Sequence, residues 1–349
     1  MRAATAFAVP PGLSAGESPE ARGLARDEVR LLVARDGSPL QHAAFRDLPR
    51  MLRRGDLLVV NTSDTEPAAV DGQRSDGRAV TLHVSGPAPD DLLVVELRTP
   101  DGRRVHDGVA GESVRLPHGV TATLVSAHPD PRVAAGSRLW RAPIPVAGGL
   151  RPWLAAVGRP IGYSYLRGRW PLATYRTLFA APTPEFASAE MPSAARPFTP
   201  AVLAGLRSRG VGVTDLVLHT GVSSLETDEA PLPERFRVPA ATADAVNATR
   251  AAGGRIVAVG TTSTRALETV ADTAGRVHAG VGWTDLVLGP DRPARVVDGL
   301  VTGWHEPQAS HLRLLEAVAG APLLDASYRS ALEHGYLWHE FGDSHLVLP

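Results

Sequence analysis

The stretch RIVAVGTTSTRALE, Arg255 to Glu268, decides how the rest of the chain is read. Ile256 to Val259 is a short apolar run with the character of a buried strand, and Gly260 lets the chain turn without a Cβ in the way. Thr261, Thr262, Ser263 and Thr264 follow, and then an expected helix. Hydroxyls at a helix start cap its free N–H groups, and the partial positive charge there suits a carboxylate or phosphate. Arg265 adds a bidentate donor for the same anion. Two readings stay open on these residues: a ligand site, or a capped helix whose Leu267 and Val270 pack on a sheet.

Working outward, neighbouring segments repeat this strand-to-helix logic. Before it come a strand at Val211 to Leu218, then HTGVSSLE (His219 to Glu226), and a helix over Pro239 to Ala252. Thr199-Pro200 followed by AVLAGLRSR and Gly210 has a capping residue, proline at the first helical position and glycine past the end. Nearer the N-terminus, Asp27 to Ala34 and Asp56 to Asn61 read as strands, with a short helix over Phe45 to Arg54 between them. The remainder predicts strands at Asp285 to Leu288, Arg295 to Val301 and His345 to Leu348, and helices around Ser310 to Ala319 and Asp325 to His334. Alternating strand and helix argues for a largely parallel sheet in an α/β fold. Between Pro67 and Pro145 the character changes to short alternating runs separated by turn signals, which reads as a small inserted β-barrel or sandwich. The expected organisation is a large mixed α/β catalytic domain, residues 1–66 plus 146–349, interrupted by a β-barrel at 67–145.

At 349 residues, 44% hydrophobic and 21% charged with net charge −1, the composition is that of an ordinary globular protein. No apolar run approaches the length of a membrane span, and the short stretch Ala3 to Val9 before PPG is too short for a secretory signal, so the expected location is the cytoplasm. There is no cysteine, which removes disulfides, thiolate zinc sites and cysteine nucleophiles. There is no lysine either, which removes a lysine base or Schiff base. A near-neutral balance argues against a broad nucleic-acid-binding face while leaving room for a local arginine patch. The stretch IGYSYLRGRWPLATYRTLFAA, Ile161 to Ala181, is such a patch: its arginines and aromatics suit RNA contact, and suit equally a packed loop with solvated arginines.

Phosphate-loop, dinucleotide-fold, serine-hydrolase and zinc-helix motifs are all missing. His305 and His311 are six apart with Pro307 between them, and no histidine pair has metal-ligand spacing, so no metal is expected. What remains is a set of polar residues just past expected strands: His219, Thr261 with Thr262, and His305, joined by Arg265, Glu268 and Asp343. Polar groups at neighbouring strand ends converge on one crevice in α/β sheets.

These motifs resemble the S-adenosylmethionine:tRNA ribosyltransferase-isomerases of queuosine synthesis along nearly the whole chain. The resemblance rests on AVGTTSTRALET (Ala258 to Thr269), GDLLVVNTSDTEPAAVDG (Gly55 to Gly72), Asp298 to Thr302 with His305 and Pro307, Tyr175 to Ala180, LHTG from Leu218, and FGD at Phe341 to Asp343. It implies an α/β domain interrupted by a small β-barrel, S-adenosylmethionine as co-substrate, and transfer with isomerisation of its ribosyl part onto 7-aminomethyl-7-deazaguanine in tRNA, releasing adenine and methionine. It also implies that Gly260, Thr261, Thr262, Ser263 and Arg265 hold the methionine carboxylate or ribose hydroxyls, with His219, His305, Glu268 and Asp343 as acid–base or orienting groups. The chain departs from the family pattern where substrate chemistry would lie. Pro197 stands at a family histidine, Leu232 and a proline replace a histidine pair before Glu234, and Gly303 and Glu306 replace asparagine and leucine beside His305. Two alternatives therefore accompany the main reading: a paralogue running sulfonium-ylide chemistry on S-adenosylmethionine itself or a small-molecule acceptor, and a non-catalytic RNA-binding relative.

Overall fold

The structure is a computed structural model that describes residues 3, 5–90, 92–133, 136–222, 231–307 and 309–349; residues 223–226 of the HTGVSSLE stretch lie outside these. Strands β1 (Arg30–Arg35), β2 (Gln41–Ala44) and β3 (Leu57–Asn61) come first, with the single turn α1 (Leu48–Met51) before β3. Next are β4 (Ala69–Arg74), β5 (Ala79–Pro87), β6 (Leu93–Arg98), β7 (Ser113–Arg115), β8 (Thr121–Thr123), β9 (Ser126–His128) and β10 (Leu139–Ala142). Helices α2 (Leu150–Val157) and α3 (Pro200–Ser208) lead to β11 (Gly212–His219), β12 (Glu234–Val238), α4 (Ala240–Ala251), β13 (Ile256–Val259) and α5 (Gly260–Thr269). β14 (Gly280–Thr284), β15 (Gly299–Thr302), α6 (His311–Ala319), α7 (Ala321–Glu333) and β16 (Ser344–Leu348) complete the described elements.

Two sheets divide these strands. One has the order β14-β12-β11-β3-β13-β15-β16-β1-β2, and the other β8-β7-β4-β5-β6-β10-β9. In the first, β11, β3, β13 and β15 run parallel, Leu57 pairing with both Gly212 and Ile256, and Val257 with Gly299. Toward the margins the pairings are antiparallel except that of β16 with β1, which is parallel, so the sheet is mixed. Successive side chains of a strand point to opposite faces. Accordingly Leu57 and Val59 join one core with α4 to α7, while Leu58 and Val60 join another with α1 and α3. Each such fully buried side chain contributes about 1.5–3 kcal/mol. The second sheet is antiparallel throughout, and among the described residues no pairing joins its outer strands β8 and β9. Its core also takes Trp153, Ile161, Phe186 and Leu232 from outside the strand-rich stretch.

Several local expectations meet their elements. Thr199 Oγ1 accepts from Val202 N–H at the start of α3, Pro200 stands at its first position, and Gly210 holds φ 74° beyond its end. The expected strand at Asp285 to Leu288 does not form; the strand lies at Gly280–Thr284 instead. Within Asp285 to Leu288 the backbone of Leu286 is bonded to side chains, its carbonyl to Arg265 Nε and its N–H to Thr284 Oγ1, rather than to a neighbouring strand. The expected helix over Phe45 to Arg54 shortens to a 3₁₀ turn, Phe45–Asp47, and the one turn of α1, because Leu52 is already extended.

Candidate active site

The parallel strands β11, β3, β13 and β15 deliver their following residues to one cavity of about 390 Å³. Thr65 arrives after β3, Thr220 and Gly221 after β11, Gly260 to Thr262 after β13, and Thr302 to Glu306 from the end of β15. Tyr163, Tyr165 and Tyr175 form another wall. The crevice beyond the carboxyl ends of parallel strands is where α/β sheets hold ligands.

The turn from β13 into α5 requires Gly260, whose φ is 87°. Four hydroxyls follow, and none caps the helix: the cap position is Val259, with no side-chain bond to a first-turn N–H. Ser263 Oγ donates instead to Val259 O at 2.9 Å and Thr264 Oγ1 to Gly260 O at 3.2 Å. The expected capping is thereby corrected, because the helix begins one residue before the hydroxyls and places them inside it. Gly260, Thr261 and Thr262, the first turn of α5, line the cavity. Thr262 Oγ1 and Trp304 Nε1, both on residues lining it, are buried without a hydrogen-bond partner. Arg265 also lines the cavity, but its guanidinium is held by the Glu234 carboxylate and the carbonyls of Leu232, Thr284 and Leu286. It clamps two loops onto α5, so the expected role of bidentate anion donor meets a guanidinium already engaged.

Opposite α5, the rings of His305 and His311 stack with centroids 4.7 Å apart. His305 Nε2 hydrogen-bonds Thr302 Oγ1 at 2.9 Å, its backbone N–H donates to the Tyr328 hydroxyl, and Trp338 Nε1 donates to its carbonyl. Burial holds His305 well below the ordinary imidazole range and brings His311 down to about 4, with the Arg265 charge adding to the latter. Both are neutral bases at neutral pH. His339, with φ 73°, stacks on Tyr165 at 3.7 Å, and burial lowers it too, to about 4. Beside it, burial raises Glu340 to about 7 against the opposing hydrogen bond from Tyr165. Tyr163 hydrogen-bonds Glu190. The cavity thus carries the carboxyl groups of Glu190, Glu234, Glu306 and Glu340 beside three uncharged imidazoles.

Of the residues singled out from sequence, Gly260, Thr261, Thr262, Arg265 and His305 line this cavity. His219, Ser263, Glu268 and Asp343 do not. His219 borders a smaller neighbouring recess, its Nδ1 hydrogen-bonded to Ser63 Oγ at 2.8 Å, and burial followed by nearby arginines lowers it to about 4. Glu268, 1% exposed, accepts the backbone N–H groups of Arg295, Val296 and Val297. Asp343 accepts from the Arg30 backbone and guanidinium and from Leu337 N–H, tying β1 to the approach of β16. His311, His339 and Glu340 were not among the sequence candidates. His311 had been weighed only as a metal partner of His305, and among the described residues no group of three or more His, Asp or Glu side chains is arranged to hold a metal ion.

The whole chain, residues 3–347, matches a family model described as Queuosine biosynthesis protein. The chain belongs to this family. An S-adenosylmethionine:tRNA ribosyltransferase-isomerase of Moorella thermoacetica is 34% identical over 98% of this chain and 98% of its own length. One from Novosphingobium aromaticivorans is 35% identical, covering 93% and 94%. Among solved structures, the S-adenosylmethionine tRNA ribosyltransferase of Thermotoga maritima is similar with TM-score 0.54 and 27% identity over 99% of both chains. Membership in the queuosine biosynthesis family sets the departures in context. Leu232, Gly303 and Glu306 all line the cavity and Pro197 is buried, so departures noted in the sequence fall at the site, in a chain similar to its relatives over nearly its full length.

Proposed function

We propose that this protein uses S-adenosylmethionine as co-substrate, transferring and isomerising its ribosyl part onto 7-aminomethyl-7-deazaguanine in tRNA with release of adenine and methionine. The observation that carries this reading is the convergence of the GTT turn of α5 and the His305–His311 pair on one cavity, in a chain whose full-length relatives bear that name. The first turn of α5 offers N–H groups and a partial positive charge to the methionine carboxylate or ribose hydroxyls. Thr261 and Thr262 add hydroxyls, while Ser263 and Arg265 hold the shape of that turn from behind and beside it. Four carboxyl groups line the cavity together with Arg98, Arg104 and Arg265, so it offers both signs of charge to a ligand that carries a sulfonium, an ammonium and a carboxylate.

Positive sulfur acidifies the C5′ hydrogens, so a neutral imidazole suffices as base, and His305 with His311 supplies two. Removal of that proton and expulsion of adenine open the ribose; the acceptor amine captures the opened sugar; methionine leaves as the epoxide closes. The protein's part is to orient the co-substrate and exclude water. His219, Glu268 and Asp343 act in this reading by holding strands and loops in place. We also propose that residues 67–145 fold as an inserted barrel-like unit, and that the protein works in the cytoplasm, where its tRNA substrate is found.

The test is incubation with S-adenosylmethionine, with and without tRNA bearing the modified base, followed by mass analysis. Adenine and methionine are expected only with the tRNA. Equal release without it would replace tRNA by a small-molecule acceptor or by the co-substrate itself, and no release in either arm would leave only binding.

A further inference from the structure

We propose that residues 159–176 form the face along which the RNA strand flanking the reacting nucleotide lies, with its phosphates on Arg167 and Arg169. The proposal rests on the tRNA reading above. This segment holds Arg159, Arg167, Arg169 and Arg176 and no acidic residue, in a chain of net charge −1. Local excess of one sign on a near-neutral molecule is the electrostatic footprint of a polyanion site.

Its position supports the same conclusion. Tyr163, Tyr165 and Tyr175 of the segment form a wall of the reaction cavity. Arg159 and Arg169 line a recess of about 260 Å³ that shares Arg98, Tyr163, Ser164 and Tyr175 with that cavity. Arg159, Arg176 and Trp170 line an open groove of about 720 Å³ that meets the cavity at Thr65. A nucleotide entering the cavity must leave the stack, so its neighbours in the strand are brought against this wall. Aromatic and guanidinium faces side by side suit unstacked RNA.

The cations are placed to exchange partners. Arg167 is exposed and has no acidic partner among the described residues. Arg169 is 69% exposed and reaches Asp71 only at 3.7 Å. Arg176, 53% exposed, makes a 3.2 Å contact with Asp64, and Arg159 pairs more closely with Asp71 at 2.7 Å. Exposed pairs of this kind are weak and give way to a phosphate. The backbone beneath is fixed: Arg167 N–H donates to Gly16 O, and Arg26 donates to Arg176 O.

The test measures tRNA affinity across about 0.05 to 0.3 M salt for the full chain, for Arg167→Gln/Arg169→Gln, and for Arg207→Gln/Arg209→Gln, which removes the same charge at the exposed end of α3. Each lost phosphate contact makes the slope of log K against log salt shallower by about 0.7 to 0.9, so about 1.4 to 1.8 is expected for the first double variant. The control double variant is expected to keep the wild-type slope, and unliganded melting temperatures report that both fold. Wild-type binding with an unchanged slope in Arg167→Gln/Arg169→Gln overturns the proposal, as does an equal loss in the control. Wild-type protein that binds no tRNA at any salt overturns the tRNA reading itself.

Discussion

Thr262 and Glu268 lie on one helix and serve opposite ends of the molecule's needs. Thr262 lines the cavity, and its Oγ1 is buried without a hydrogen-bond partner. Thr262→Val keeps the shape and removes the hydroxyl; we expect the thermal shift given by S-adenosylmethionine to fall, with affinity down about tenfold, and the unliganded melting temperature to hold. Isothermal calorimetry checks the first and a thermal melt the second. Glu268 is the reverse case. Glu268→Ala leaves two buried N–H groups, those of Val296 and Val297, and the part-buried N–H of Arg295 without an acceptor, a loss of about 3 kcal/mol, measured as a lower urea midpoint with the kcat of the remaining folded protein little changed. Sequence alone offered four equivalent hydroxyls and a carboxylate one turn on. Which of them faces the cavity depends on helix phase, and the phase depends on Gly260 rather than Thr261 being the first helical residue.

At the scale of elements, the β13–Gly260–α5 junction was legible because an apolar run, a glycine and a hydroxyl cluster leave few alternatives. With φ at 87°, Gly260 also carries the ligand-facing turn. Gly260→Ala is expected to destabilise the fold by about 1–2 kcal/mol and to raise KM for S-adenosylmethionine, since an added Cβ stands 3.4 Å from both Ala194 Cβ and Thr262 Oγ1. Steady-state kinetics and a denaturant melt together check this; a changed melt with unchanged KM would separate the turn from binding. The stacked pair His305 and His311 was not legible, because their contact depends on how the loop after β15 reverses into α6, and spacing in sequence says nothing of that. The loop at Asp285 to Leu288 reads as a strand because Leu286, Val287 and Leu288 form an apolar run, while the backbone of Leu286 is bonded to the side chains of Arg265 and Thr284.

Across the whole molecule, the α/β class and the strand-rich character of residues 67–145 follow from patterns of apolar spacing, whereas the antiparallel strands β12 and β14 and the meeting of Tyr165, His339 and Glu340 at the cavity do not. Their titration gives a pH signature. Glu340, raised to about 7 by burial, binds a proton in the folded state over a range where the unfolded carboxyl does not, so its contribution to stability falls as pH rises from about 4.5 to about 7. His311 and His339, lowered to about 4, act oppositely and lose stability as pH falls from about 6.5 to 4. We expect Glu340→Gln to gain on wild type by on the order of 2 kcal/mol between pH 5 and pH 8, read from paired melts in the two buffers.

The pairing of β1 with β16 has its own consequence. Leu31 to Arg35 lie against Ser344 to Leu348, and β16 is the strand that joins β1 and β2 to the remainder of the sheet. During synthesis, one edge of the apolar segment Leu31 to Ala34 can pair early with β2, while its other edge waits for a partner made more than three hundred residues later. Contacts of such long range slow folding and keep a sticky strand exposed. The β16 edge of β1 can be covered only after more than three hundred further residues have been made.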